Sequence, residues 1–348
     1  VSNELKEDYI MQKKQTATIY DVASRVGVSL ATVSRVVNGN SNVRESTKRK
    51  VLDAIEELGY HPNAVARGLA SKKTTTIGVV MPDVTDMYYS ELARGIDDVA
   101  NMYHYDVLLT NTDEDPVRET MAVNNLASKQ VDGIIFMGNE LDREVLNTIA
   151  AVDAPVVLAG SLDEEGILPS VNIDYVAAVK EATELLIRNK HDRVALVTGP
   201  MVHAINKHHR LVGYQAGLEA ANIAFDDSLL FATHQDYSAG LQVAEKIFAA
   251  QATAAVVYDD EVALGIMNYM RDHGKSVPED FEIITSNDTK FAIVTRPELS
   301  SIGQPKYDIG AVAMRMLTKL MNNEVVDDMQ VQLPHTFEKR GTTINPQP

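Results

Sequence analysis

The chain has no cysteine among its 348 residues. Neither a disulfide nor a thiolate metal site can therefore be part of its fold, which fits a reducing cytoplasm. No apolar run approaches the roughly 18 residues that a bilayer span requires, and the chain opens without a secretory signal. No membrane association is expected, and a cytoplasmic location is. Catalytic signatures are missing too: there is no G-x-S-x-G, no P-loop and no H-E-x-x-H, so no enzyme, catalytic residue or cofactor is assigned. Positive charge is scarce, with 32 Lys and Arg against 49 Asp and Glu for a net charge of −17. Taken whole, that balance speaks against a nucleic-acid partner.

Its distribution removes the objection. Residues 13–75 hold eleven Lys or Arg and five Asp or Glu, a balance of +6, whereas residues 76–348 hold 20 against 41, a balance of −21. A basic head on an acidic body confines phosphate attraction to one end and repels DNA from the rest. An ordinary acidic protein with a Lys-rich start would share this split, so charge alone does not decide. The first ten residues, VSNELKEDYI, precede Met11, a natural start, and residues 1–17 read as a disordered extension or tag.

Residues 18–62 carry the motif. Thr18 with Asp21 is a capping box opening a helix whose inner face is Val22, Ala23 and Val26 and which stops at Gly27. Ser29 caps a second helix, Leu30 to Val37, ending at Asn38-Gly39. A third opens near Glu45-Ser46, buries Val51, Ile55 and Leu58, and closes at Gly59. Two short helices joined through Gly27-Val28-Ser29 form a helix-turn-helix, with Ser29, Leu30, Ala31 and Thr32 at the end that meets base edges, Ser34 and Arg35 beyond, and Asn38 at the exit. A packing bundle would use the same pattern. The segment 63–75 separates the two: it begins NAVARGLA, helix-compatible but too short to hold a helix alone. Such a segment orders when a second copy and DNA supply packing, with Leu69 as the apolar wedge for the minor groove.

From Thr76 onward apolar runs (Ile77–Met81, Val107–Leu109, Val131–Phe136, Val156–Ala159, Val194–Thr198, Ala254–Tyr258, Phe281–Thr285) alternate with helical stretches (Glu91–Tyr103, Ala178–Arg188, Tyr214–Ala221, Ala239–Ala250, Glu261–His273). Strands spaced by helices of this length make parallel α/β sheets, and so many strands need two. One further helix, Tyr307 to Met321, turns Ile309, Ala313, Met316, Leu317, Leu320 and Met321 inward. It leaves Asp308, Val312, Arg315 and Lys319 within roughly 60° on the other side. A solvated face with spaced charges would look the same.

IYDVA, ATVSRVVNGN, HPNAVARGLASKKTTT, VDGIIFM and YDIGAVAMR together resemble the LacI/GalR family of bacterial repressors over about residues 18–345, and most of all its catabolite-control branch in Gram-positive bacteria. The resemblance implies an α/β chain with an N-terminal helix-turn-helix headpiece (18–62), a hinge (63–75) and an effector-binding and dimerisation core (76–348). That core has two Rossmann-like lobes of periplasmic-binding-protein type. Crossings are placed near 160–165, 290–295 and 322–328, giving one lobe about 76–162 and 293–324 and the other about 163–292 and 325–348. The same resemblance implies operator DNA as partner, read by Thr18, Ser29, Leu30, Ala31, Thr32, Ser34, Arg35 and Asn38, with Asn63, Ala66, Leu69 and Ala70 in the hinge. It implies a homodimer. It also implies docking of HPr phosphorylated on serine against Tyr307, Asp308, Val312, Arg315 and Lys319, the Arg315 guanidinium gripping the phosphate bidentately. The facing surface is expected to include the exposed side of the Glu91–Tyr103 helix. Relatives hold a sugar or purine between the lobes with an arginine and the aspartate of a G-[FY]-D-[DN] turn, which map here onto Arg210 and Asn287 of Thr285-Ser286-Asn287-Asp288. An amide in place of that carboxylate weakens bonds to sugar hydroxyls, so a tight sugar is not expected; a small sugar phosphate in the cleft is kept as a candidate partner. The alternative is a repressor that a sugar in this cleft releases from DNA. His203, His208 and His209 have no carboxylate at ligand spacing and read as solvated, with no metal.

Overall fold

The computed structural model describes residues 17–37, 42–61, 73–138, 141, 143–163 and 165–344. Residues 1–16 of the expected extension lie outside them, as do Asn38 and the hinge positions Asn63, Ala66, Leu69 and Ala70. The chain divides into two compact units, Val1–Thr74 and Thr75–Pro348.

In the first unit three helices form: α1 (Ile19–Val26), α2 (Leu30–Val37) and α3 (Glu45–Leu58). Thr18 starts α1 by donating its backbone N–H and its hydroxyl to one Asp21 oxygen at 2.8 and 2.7 Å. Those bonds, the hydroxyl's first, hold the Asp21 carboxyl below its ordinary pKa. Gly27 ends α1 in the left-handed region (φ 73°), where a β-carbon would be strained. Val22, Val33 and Val51, wholly buried, make the centre with Ala23, Val36 and Ala54. Ile55 and Leu58 are only half-buried, a correction to the expected inner line. Two eight-residue helices cover too little of a 14-residue one, so Ala54 takes the core position and the last turns of α3 reach the rim.

The second unit holds β1 (Thr76–Met81), α4 (Met87–Met102), β2 (Asp106–Asn111), α5 (Pro116–Ser128), β3 (Gly133–Phe136), α6 (Arg143–Ala151), β4 (Val156–Ala159), β5 (Ser170–Ile173), α7 (Tyr175–Arg188) and β6 (Val194–Thr198). Next along the chain are α8 (Leu211–Ala220), β7 (Leu230–Ala232), α9 (Tyr237–Ala249), β8 (Ala254–Val257), α10 (Asp260–Asp272), β9 (Glu282–Thr285), α11 (Lys290–Val294), β10 (Ser300–Gly303), α12 (Lys306–Met321), β11 (Gln330–Leu333) and β12 (Thr336–Glu338). Two six-stranded sheets result, ordered β11-β5-β4-β3-β1-β2 and β12-β10-β9-β8-β6-β7, parallel except for β10–β12. In each, order reverses beside the first strand, at β1/β3 and at β6/β8. Such a switch point opens a crevice at the carboxyl ends of the strands.

Strand pairing moves all three crossings from their expected places. β5 pairs with β4 and β11 in the first sheet, so the chain first crosses after Ile173 and not near 160–165. β10 still pairs with β9 in the second sheet, which puts the second crossing at 304–305 instead of 290–295. β11 belongs to the first sheet and β12 to the second, so the third falls at 334–335 instead of 322–328. The lobe boundaries move with them. The strands responsible read SVNI, SSIG, QVQL and TFE. Short and partly polar, they give no apolar run, and only their ladder partners make them strands. Helices begin earlier than their apolar periodicity because aspartates cap them: Asp86, Asp174, Asp236 and Asp259 each accept a backbone N–H of the first turn.

Candidate functional site

On the headpiece, Ser29 caps α2, its hydroxyl accepting Thr32 N–H at 3.2 Å. Ser29, Leu30, Ala31 and Arg35 are exposed, and Thr32 and Ser34 half-buried. With Val33 and Val36 buried, Ala31, Ser34 and Arg35 fall on the opposite side of α2, while Ser29 sits at its N-terminus and Leu30 and Thr32 on its flanks. Thr18 is exposed at the start of α1. Beside it Tyr20, 68 % exposed, is missing from the sequence-derived set. An aromatic ring out of place on a polar helix face was the available signal.

In the body the two switch points face one cavity of about 530 Å³. Its walls include the carboxylates Asp83, Asp86, Asp113 and Glu114 from the first lobe and Asp236, Asp259 and Glu261 from the second. No lysine or arginine is among its described walls. Gln235 bridges the lobes here, Nε2 donating to Asp86 Oδ2 at 2.5 Å and to Asp259 Oδ2 at 3.1 Å. Burial, chiefly, raises the Asp86 carboxyl to about 6, with Asp83 and Glu114 adding to the rise. Burial and then Asp260 raise Asp259 to about 7. Seven carboxyl groups with no lysine or arginine among its described walls give the cavity an acidic lining.

Arg210 ends a π-helix, Ile205–Arg210. It is buried between the rings of Tyr175 (5.6 Å) and Tyr258 (5.4 Å), and donates to Asn206 Oδ1 at 2.6 Å. Asn287 is buried after β9, Nδ2 donating to Asp259 Oδ2 at 3.2 Å and Oδ1 accepting from Gln304 Nε2 at 3.1 Å. An aspartate at 287 would set another carboxylate against Asp259, so the amide fits its surroundings. Its polar atoms are engaged within the chain. His208 is exposed, His203 and His209 half-buried. Among the described residues no cluster of three metal-ligand side chains occurs, and no helix is long and apolar enough to cross a membrane.

On α12, Tyr307, Asp308, Arg315 and Lys319 are exposed and Val312 half-buried, while Ile309, Ala313, Met316 and Leu317 are buried. Leu320 and Met321 are half-buried, at the rim of the face expected to be core. The helix packs on α4 with Gly310 against the Leu92 carbonyl and Gly95 against the Tyr307 carbonyl. Tyr307 Oη donates to Asp98 Oδ2 at 3.2 Å, and Asp98 pairs with Arg94 at 3.0 Å. One surface thus carries the α12 stripe and the outer side of α4.

Residues 18–63 match the family described as bacterial regulatory proteins, lacI family, and residues 183–343 match the periplasmic binding protein-like domain. Catabolite control protein A of Streptococcus mutans is 52 % identical over 333 residues, 96 % of this chain and all of that one. The chain belongs to the LacI family. Two solved structures bear on it. The transcription regulator CcpA of Lactococcus lactis matches with 42 % identity and a TM-score of 0.75, over 77 % of this chain and 99 % of that one. The lac repressor dimer bound to operator and an anti-inducer matches with 28 % identity and a TM-score of 0.87, over 95 % and 100 %. The protein is a CcpA-like transcription regulator. Within this family the headpiece is the DNA-binding part, and the body has the fold of a periplasmic binding protein.

Proposed function

We propose that the protein is a dimeric regulator of carbon catabolite control. Its headpieces read two half-sites of an operator, and serine-phosphorylated HPr docked on the first lobe raises its operator affinity. The carrying observation is the α12 stripe: two cations, an acid and a tyrosine stand exposed along a helix whose other faces are core. Arg315 supplies a planar guanidinium for a phosphate dianion, and Lys319, one turn on, adds a second positive charge. An unphosphorylated serine offers neither charge nor bidentate geometry. Docking that favours the operator-binding arrangement then adds a coupling of about 1–3 kcal/mol. Thr18, Ser29, Leu30, Ala31, Thr32, Ser34 and Arg35 are proposed as DNA contacts, with Asn38 and the hinge residues Asn63, Ala66, Leu69 and Ala70. For the dimer, exposed Leu109, Val117 and Met121 on the first lobe and Ile293 and Val294 on the second offer apolar surface for a second copy.

Calorimetric titration with HPr in its phosphoserine and unmodified forms tests the docking. Binding of the phosphorylated form alone is expected, and Arg315→Ala should abolish it while leaving operator affinity without HPr near wild type. Wild-type affinity in that variant would remove the docking site. Release of operator by a sugar, with no response to phosphorylated HPr, would support the cleft-induced repressor instead. The acidic cavity and the engaged Asn287 argue against that outcome.

A further inference from the structure

The docking helix is tied at its first residue to the loop that follows β9 in the second lobe. Lys306 opens α12 and is buried, with 5 % relative exposure. Its Nζ donates to the carbonyls of Asn287 and Asp288 at 2.6 and 2.9 Å, both in the second lobe. The same Nζ lies 3.4 Å from Glu91 Oε2 on α4, in the first lobe. Two residues earlier Gln304 donates to the Ser286 carbonyl at 2.6 Å and accepts from Tyr88 and Tyr175 at 3.3 and 3.4 Å. The crossing segment therefore grips loop 286–288 with two donor groups, one of them a buried charge.

Helix stability does not account for that lysine. A cation in the first turn opposes the helix macrodipole, and a buried ammonium is costly unless paired. Nor does lobe architecture require it, since the apolar packing of α12 on α4 already fixes the helix. What the lysine does supply is a rigid link. The docking stripe begins one residue later, at Tyr307, and runs along the same 16-residue helix. A partner that shifts or clamps α12 moves two carbonyls of the loop after β9 directly, and with them the second lobe.

We propose that Lys306 is a positioning residue that transmits docking on the α12 stripe to the orientation of the second lobe. The proposal rests on the docking of phosphorylated HPr at that stripe. Coupled sites obey reciprocity: the factor by which the partner raises operator affinity equals the factor by which operator raises partner affinity. Such a factor is typically about 5–150-fold. Physical coupling needs an element both sites bias, and here it is the pair formed by α12 and loop 286–288.

The test uses the full chain and HPr phosphorylated on serine. Partner affinity is measured for free and for operator-bound protein, in wild type and in Lys306→Met. Methionine keeps the aliphatic stem and removes the buried charge. Glu91 is half-exposed and can be hydrated, and the buried Asp260, which also feels the Lys306 charge, keeps its hydrogen bonds from Thr285 and Thr289, so folding should survive. The expected result is partner affinity for the free protein within about threefold of wild type, with the operator-induced gain reduced to below about threefold. A merely structural role would instead weaken both affinities together and lower the melting temperature. If the methionine variant melts below assay temperature, Lys306→Gln gives the same readout, because its shorter side chain cannot span both carbonyls and Glu91. An undiminished gain in either folded variant overturns the proposal. Wild-type protein that fails to bind the phosphoprotein refutes the docking reading itself, and a wild type that couples beside variants that do not supports both.

Discussion

Two carboxylates, Asp86 and Asp259, face each other through the amide of Gln235. Burial raises both above the ordinary carboxylate value of 3.8, to about 6 and about 7. Protonation therefore favours the arrangement in which they are buried. The stability they lend is complete below pH of about 4 and is lost as pH rises through about 6 to 7. Around them Asp83, Glu114 and Asp260 add negative charge, and Lys306, beside Asp260, opposes it. The expected outcome is a body that melts at higher temperature near pH 5.5 than near pH 8. In Asp86→Asn with Asp259→Asn the slope should flatten, since each asparagine keeps its helix cap and loses its charge. Circular-dichroism melts across that range check it, and an unchanged slope in the double variant would remove these groups as its origin. On the headpiece, Arg35→Ala should weaken operator binding at least tenfold in a mobility-shift titration, because an exposed guanidinium on the outer face of α2 can reach a base edge or a phosphate.

At the scale of elements, the contact between α4 and α12 decides most. Gly95 and Gly310 let the two backbones touch, and a β-carbon on Gly310 would strike the Leu92 carbonyl. Backbone does not move aside as a side-chain tip does. Gly310→Ala is expected to cost about 1–3 kcal/mol in denaturant unfolding, despite the better helix propensity of alanine. It should also weaken binding of the phosphoprotein by displacing the α12 stripe from the α4 surface. Most of the inward and outward faces of α12 were legible from periodicity alone, and so were the caps of α1 and the Ser29 cap of α2. The strands β5, β10, β11 and β12 were not, because sequences such as SVNI and QVQL become strands only when an adjacent strand offers its ladder.

For the whole molecule, the exposed apolar residues on both lobes predict self-association. Sedimentation equilibrium should give twice the 38.2 kDa chain mass. Val117→Asp with Met121→Asp, both on the exposed side of α5, should yield monomer and lower operator affinity, since two half-sites would no longer be joined. Dimer retained in that variant would place the interface elsewhere.

The linear order of residues determined the headpiece helices, the charge asymmetry, the alternation of strand and helix and the outer stripe of α12, because each is written in local composition, caps or periodicity. Only the tertiary structure decided where the chain crosses between lobes, since that depends on which distant strand a short polar segment pairs with. It also decided that Asp86 meets Asp259, 173 positions on, and that Lys306 reaches the carbonyls of Asn287 and Asp288. Such meetings follow from two sheets closing over one crevice, and local sequence carries no record of them.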